Sequence, residues 1–290
     1  MRRLPTIRLL LPCAGGLLTA LMAAQDPGAG NGKPEGPFAD LAQAARLLGQ
    51  SRLQQAEKLL RSVVDRVPTH AHAWFVLGLA RERQGKDELA LSAMERVLDI
   101  DPLHLEGLLL ASQLCLAKDR KKAAAYATRA GKAAREDEIG LRKAARLLVE
   151  VERFDQALAI VGKLQRRRPK DTELLYLQAD LEVRLGKTDQ ALEAYRTLAP
   201  LRPFDPWPHE CMAGLYLHLG NKQDARRSLL ASLQIRPSNV HARRKLIEVM
   251  TDLGADRQEI AAQTSYLKLY EQVEKARGSG TPPGLPGPGR

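Results

Sequence analysis

The residues that could do chemistry in this 290-residue chain stand at spacings that do not support it. Gly186-Lys187-Thr188 reads as the end of a phosphate-binding loop, whose backbone cradles a phosphate and whose lysine reaches it. That loop needs glycine where Leu181 stands, and the motif fails. His209-Glu210-Cys211-Met212-Ala213 opens like a zinc-protease helix, in which two histidines one turn apart hold the metal and the glutamate is the base. Ala213 takes the second histidine's place, so the ligand pair is lost. His70 and His72 fall short of a metal set and read as a solvated pair. No Gly-x-Ser-x-Gly elbow presents a nucleophile. The expectation is a chain that is not an enzyme, with no catalytic residue, cofactor or metal.

Charge is the stronger signal. The formal net charge is +11. Residues 115–170 hold 16 Lys or Arg against 7 Asp or Glu, clustered at 118–122, 142–146 and 166–170. Three readings fit such a stretch: a solvated face, an acidic partner, or a polyanion. Nucleic acid is disfavoured because the aromatic residues that stack bases are not interleaved with the cations.

The elements that must position these residues follow from a repeat. Aromatics make up only 4% of the chain while Ala and Leu are plentiful, which favours close-packed helices over sheet. Pro68, Pro102, Pro169, Pro203 and Pro237 are separated by 34, 67, 34 and 34 residues. The 67 is one unit plus another shortened by a residue, with Glu136 in the missing proline's place. Twelve residues before each proline stands Ala56, Ala90, Ala157, Ala191 or Ala225, and seventeen before Pro102, Pro203 and Pro237 stand Gly85, Gly186 and Gly220. The alanines and Gly78 let two helices approach closely; the later glycines end a first helix in a left-handed turn; proline stops the second helix. The third unit lacks both the turn glycine and the closing proline, and its Ala123-Ala124-Ala125 run leaves the register ambiguous by one residue.

Trp74, Leu77, Gly78, Gly85, Ala90 and Pro102 complete the pattern in the best unit, with Arg81 and Met94 where Tyr216 and Tyr195 stand in others. At this spacing the chain resembles the tetratricopeptide repeat (TPR) family over residues 38–254. The units run 37–70, 71–104, 105–137, 138–171, 172–205 and 206–239, with a partial seventh from 240 and a capping helix over 255–277. The resemblance implies an all-α TPR solenoid, a right-handed superhelix of antiparallel helix pairs whose first helices line a concave groove for peptide partners. Groove positions would be His72, Phe75 and Arg83, then Arg142 and Arg146, then Tyr176, Asp180 and Arg184, and finally Trp207 and Glu210. Arg142 and Arg146, four apart, would share a face beside Tyr176 and Arg184, with Glu150 neutralising Arg146 and leaving Arg142 free for a carboxylate. The family's clamp for a terminal carboxylate is not implied, because Leu41, Ala45, Phe75 and Leu79 cannot supply its donors.

Outside the array, residues 1–24 have the layout of a signal peptide: Arg2, Arg3 and Arg8, an apolar run from Leu9 to Met22, then Ala23-Ala24. The competing reading is a retained membrane anchor, which the break at Pro12 and Gly15-Gly16 disfavours. Pro12 before Cys13 is also a poor lipidation signal. Residues 25–37 read as a spacer, and 278–290, rich in Gly and Pro, as a disordered tail. Cys115 and Cys211 lie too far apart in an array to bridge and are expected to pack as small apolar groups. Together these features predict an exported, non-enzymatic adaptor of the periplasm or cell envelope that binds a protein or peptide partner, an acidic one being favoured by the charge. The alternatives are an accessory subunit of an envelope enzyme or assembly machine, and a polyanion binder acting through residues 115–170.

Overall fold

A computed structural model describes residues 37–278. The expected leader, the tail beyond Gly278 and all of the spacer before Pro37 lie outside the described residues. Among the described residues there are fourteen helices and no strand. They are α1 (Pro37–Gly49), α2 (Leu53–Arg66), α3 (Ala71–Arg83), α4 (Asp87–Ile100), α5 (Leu105–Cys115), α6 (Arg120–Ala133), α7 (Glu138–Glu150) and α8 (Phe154–Arg167). The second half adds α9 (Thr172–Arg184), α10 (Thr188–Leu201), α11 (Trp207–His218), α12 (Lys222–Ile235), α13 (Val240–Asp252) and α14 (Arg257–Gly278). None of the described helices is long and apolar enough to cross a membrane.

The helices fall into two compact units, and the chain passes from the first to the second within α8, between Ile160 and Val161. In the first unit each helix from α1 to α7 packs on the next, and the first helices α1 with α3 and α5 with α7 also touch. In the second unit α9 to α14 stack in the same sequential order.

Small residues set the contact within each pair. Gly78 on α3 faces α4 so closely that an added Cβ would run into Met94 Cε, with Ala93 Cβ 3.3 Å and the Ala90 carbonyl oxygen 3.4 Å away. Ala56, Ala90, Ala157, Ala191 and Ala225 are all fully buried. In the second unit Ala191's neighbours on α10, Leu192, Ala194, Tyr195 and Leu198, share a core cluster with Leu175 and Ala179 of α9 and Met212 of α11.

The turn after each first helix is built the same way. Ser51, Gly85, Glu152, Gly186, Gly220 and Gly254 have φ of 58° to 74°. The next residue's N–H then reaches back to a carbonyl five residues earlier: Arg52 to Leu47, Lys86 to Arg81, Arg153 to Leu148, Lys187 to Glu182, Asn221 to Tyr216 and Ala255 to Met250. This pattern closes a helix on a left-handed residue. Ser51 and Glu152 occupy the glycine position of the repeat without being glycine. The third repeat departs from the scheme: α5 ends early at Cys115, and Asp119, at φ −140°, caps α6 through a hydrogen bond from Lys122 N.

The basic segment is partly spent on holding neighbouring repeats together. Lys118 pairs with Glu88 at 2.8 Å, Lys122 with Glu95 at 2.5 Å and Arg120 with Glu152 at 3.1 Å. Arg129 donates to the Pro102 carbonyl at 2.9 Å and lies over the Tyr126 ring.

Candidate protein-binding face

The groove residues expected from the repeat register divide between the two units: His72, Phe75, Arg83, Arg142 and Arg146 stand in the first, and Tyr176, Asp180, Arg184, Trp207 and Glu210 in the second.

On α7, Gly140, Leu141, Ala144, Ala145, Leu147 and Leu148 form the buried face. The opposite face presents Ile139, Arg142 and Arg146, at i, i+3 and i+7, which places them on one stripe. Ile139 is 65% exposed, an unusual placement for a β-branched apolar side chain, and Arg146 is exposed. Arg142 is not free as the sequence suggested: its Nε and Nη2 donate to Glu138 Oε1 at 3.2 and 3.1 Å. That pairing at i,i+4 follows from Glu138 lying one turn before Arg142. Nor does Glu150 neutralise Arg146: it is half-buried, burial pushes its carboxyl up from the usual range, and its carbonyl oxygen accepts from Arg120 Nη2. Arg146 has no ion pair among the described residues.

Phe75 corrects another expectation. It is only 2% exposed, so it belongs to the core rather than to a binding face. Its ring lies between those of His72 and His104, with centroids at 6.3 and 5.1 Å. The histidines are not a solvated pair either: His70 Nδ1 caps α3 by accepting from Ala73 N at 3.3 Å, and His72 Nε2 is buried with no partner. Burial, aided by His70 and His104, lowers the His72 pKa and so disfavours its charged form. Arg83 extends to the Leu48 carbonyl at the end of α1, at 3.4 Å.

In the second unit most candidates serve the fold. Tyr176 donates its hydroxyl to Asp205 Oδ2, and the Arg202 guanidinium lies over its ring at 5.5 Å. Burial and then that carboxylate push the phenol well above its ordinary value. Asp180 and Arg184 pair with each other at 2.7 Å. Glu210 accepts from Asn239 Nδ2 at 2.6 Å and Ser232 Oγ at 3.1 Å, tying α11 to the start of α13. Trp207 is 53% exposed and Phe204, three residues before it, 92%. Sequence reasoning missed Phe204 and Ile139; for Ile139 the signal was its place on the arginine stripe, and for Phe204 its place between Pro203 and Pro206 in a connecting loop.

The two cysteines are free thiols, Cys115 buried and Cys211 half-buried. Burial raises both, Cys211 to about 11, so neither is activated as a nucleophile.

Comparison with known proteins agrees with the repeat architecture. The tetratricopeptide repeat family model matches residues 41–104 and 142–206. The peroxisomal targeting signal receptor of Kluyveromyces lactis is 20% identical over 230 residues, covering 76% of this chain and 40% of the receptor. The chain thus spans well under half of that relative's length. Among solved structures, the C-terminal part of a TPR repeat-containing protein from Cytophaga hutchinsonii has a TM-score of 0.57 at 17% identity, over 78% of this chain and 91% of that one. YrrB, a TPR protein with an unusual peptide-binding site, has a TM-score of 0.51 at 18% identity, over 63% of this chain and 95% of its own. Identities this low establish a shared fold and nothing narrower. Two stretches of the chain, residues 41–104 and 142–206, thus match the tetratricopeptide repeat model, and the described residues have the all-α fold of antiparallel helix pairs found in these solved repeat structures.

Proposed function

We propose that this protein is a non-enzymatic scaffold that holds an extended segment of a partner on the open face of α7, and that the segment carries apolar and acidic residues together. The observation that carries the reading is the stripe of Ile139, Arg142 and Arg146, where an isoleucine stands 65% exposed on the same helix face as two arginines. An apolar anchor on one face with two arginines suits a mixed apolar and acidic segment, since arginine grips carboxylates in bidentate geometry. The fold supports peptide holding as a class of activity, because YrrB, of the same fold, has a peptide-binding site. The leader-like residues 1–24 support placing this scaffold in the cell envelope or outside the cell, as an adaptor or as the accessory subunit of a larger assembly. The polyanion reading is weakened by the ion pairs that occupy Lys118, Arg120, Lys122 and Arg142.

A photo-crosslinking residue placed at 139 or 146 is expected to capture a partner protein from the native extract, whereas the same residue at exposed Leu89 on α4 captures none. Equal capture from position 89, or none from 139 and 146, would reject α7 as the binding face.

A further inference from the structure

The starts of the first helices divide by chemistry. Asp137 opens α7 by accepting from Gly140 N at 3.0 Å, Asp171 opens α9 by accepting from Leu174 N at 3.2 Å, and Asn239 opens α13 by accepting from Ala242 N at 3.0 Å. Two helices of the first unit are opened by imidazole instead. His70 Nδ1 accepts from Ala73 N at 3.3 Å at the start of α3, and His104 Nδ1 accepts from Gly107 N at 3.1 Å at the start of α5. The two histidines stand one repeat apart, at 70 and 104, in the register that Asp137, Asp171 and Asn239 continue.

An imidazole accepts only through its bare nitrogen, and protonation turns that acceptor into a donor. The resulting cation also sits at the positive end of a helix dipole, where an anion or a neutral acceptor is favoured. Among the side-chain types that cap these helices, imidazole is the one whose chemistry makes it a switch near neutrality. The surroundings add to the effect. The Phe75 ring separates His72 from His104, and His72 Nε2 is enclosed without a partner, so a proton on His72 would be a buried charge. His104 also has a carboxylate nearby: Glu106 Oε2 stands 3.9 Å from Nδ1, beyond hydrogen-bond range but close enough to attract an imidazolium. Other charged groups near these helix starts include Asp101, just after α4, Arg96 of α4 and Arg129 of α6. Asp101 accepts from His104 N through its backbone oxygen, Arg96 lies over the Trp74 ring of α3, and Arg129 is bonded to the Pro102 carbonyl.

We propose that α3 and α5 form an acid-sensitive latch: protonation of His70 and His104 releases both helix starts and loosens the junction around Phe75, while helices opened by Asp or Asn stay closed. The latch acts in the unit that carries the α7 face, and its acid release would weaken partner holding there; that consequence rests on the function proposed above, whereas the latch itself can be measured with no partner present. The lowered affinity of His72 for protons, caused by burial and by His70 and His104 against the pull of Glu106, works in the same direction, since a folded-state value below the unfolded one removes stability as pH falls.

Amide hydrogen exchange of the full chain, followed by NMR at pH 7.5, 6.5 and 5.5 and corrected for the intrinsic rate, tests this. Protection at Gly107 should fall about fivefold or more toward pH 5.5, the size expected for a lost cap, and protection at Ala73 by less, because its N–H also donates to the His70 carbonyl at 3.0 Å, while Gly140 and Leu174 stay constant. His70→Asp should abolish the pH response at Ala73 alone, and His104→Asp that at Gly107 alone, since each supplies an oxygen cap that stays charged across the range. Constant protection at Ala73 and Gly107 in the wild-type protein overturns the latch, and so does a pH response that survives in the aspartate variants. Failure of α7 to capture any partner leaves these exchange rates unaffected, so the two claims fail separately.

Discussion

Gly78→Leu is expected to destabilise the first unit by about 3 kcal/mol, the upper end of the usual cost of overpacking a helix contact. Gly78 faces Ala90, Ala93 and Met94 of α4, and even a single added carbon meets the Met94 methyl. Methionine is flexible, so Gly78→Ala is a different case: Met94 Cε can swing aside, and alanine gains up to about 1 kcal/mol of helix propensity over glycine. That variant should lie close to the wild type. A leucine adds three further carbons that must pass the Ala90 carbonyl oxygen, 3.4 Å from the first one, and backbone cannot rotate out of the way. The two helices must then separate, which forfeits contacts along their length. Urea unfolding of the three proteins measures this directly. A leucine variant as stable as the wild type would show that α3 and α4 are not packed in this register.

Removing one carboxylate from the same unit should have an effect nearly as large. Glu57 on α2 is 9% exposed and receives Arg81 Nε at 3.1 Å, Gln84 Nε2 at 3.0 Å and Lys86 Nζ at 2.8 Å, so it fastens the first repeat to the second. Burial alone would push its carboxyl up; the hydrogen bonds from Lys86, Arg81 and Gln84 outweigh burial and hold it down at about 2. Glu57→Gln keeps the shape and loses the charge, leaving the Arg81 guanidinium, whose side chain is 13% exposed, without its counter-ion. The expected cost is about 2 kcal/mol at pH 7, an amount discounted for the solvent that still reaches Lys86. The sign with pH follows from the lowered value. A carboxyl held below its unfolded-state value contributes fully above about pH 4.5 and loses that contribution as pH falls toward about 2. The gap between wild type and variant should therefore close over that window, and a gap that stays constant to pH 2 would mean that the charge of Glu57 is not what holds the repeats together.

The repeat was legible because its signals are residue types at fixed intervals. Pro, Ala and Gly mark a stop, a close approach and a turn, and the fourteen helices follow from them. The turns at Ser51 and Glu152 were not legible, because what the fold requires there is a φ of 58° or 61°, and the backward hydrogen bonds from Arg52 and Arg153 sustain it at a strain glycine would avoid. Binding-face residues were read less well for a related reason. Periodicity gives a side chain's direction on its own helix, and burial depends on the neighbouring repeat: Phe75 disappears beneath His104, which is 29 residues away in sequence. Cross-repeat ion pairs such as Lys118 with Glu88 consume part of a positive charge that looks free in the linear sequence. Glu138, by contrast, was in plain view one turn before Arg142, and the local pairing rule was enough to predict that salt bridge.

The central claim is that the open face of α7 holds the partner, and capture by the double variant Arg142→Glu with Arg146→Glu tests it most directly. Circular dichroism should show helicity and melting unchanged within a few degrees, since Arg146 is exposed and the Glu138 to Arg142 pair is worth only about 0.3 to 0.5 kcal/mol. Affinity for the crosslinked partner should fall by about tenfold or more at physiological salt and by more at low salt, where surface charges are screened least. Undiminished capture by the folded double variant at both salt concentrations would contradict the account.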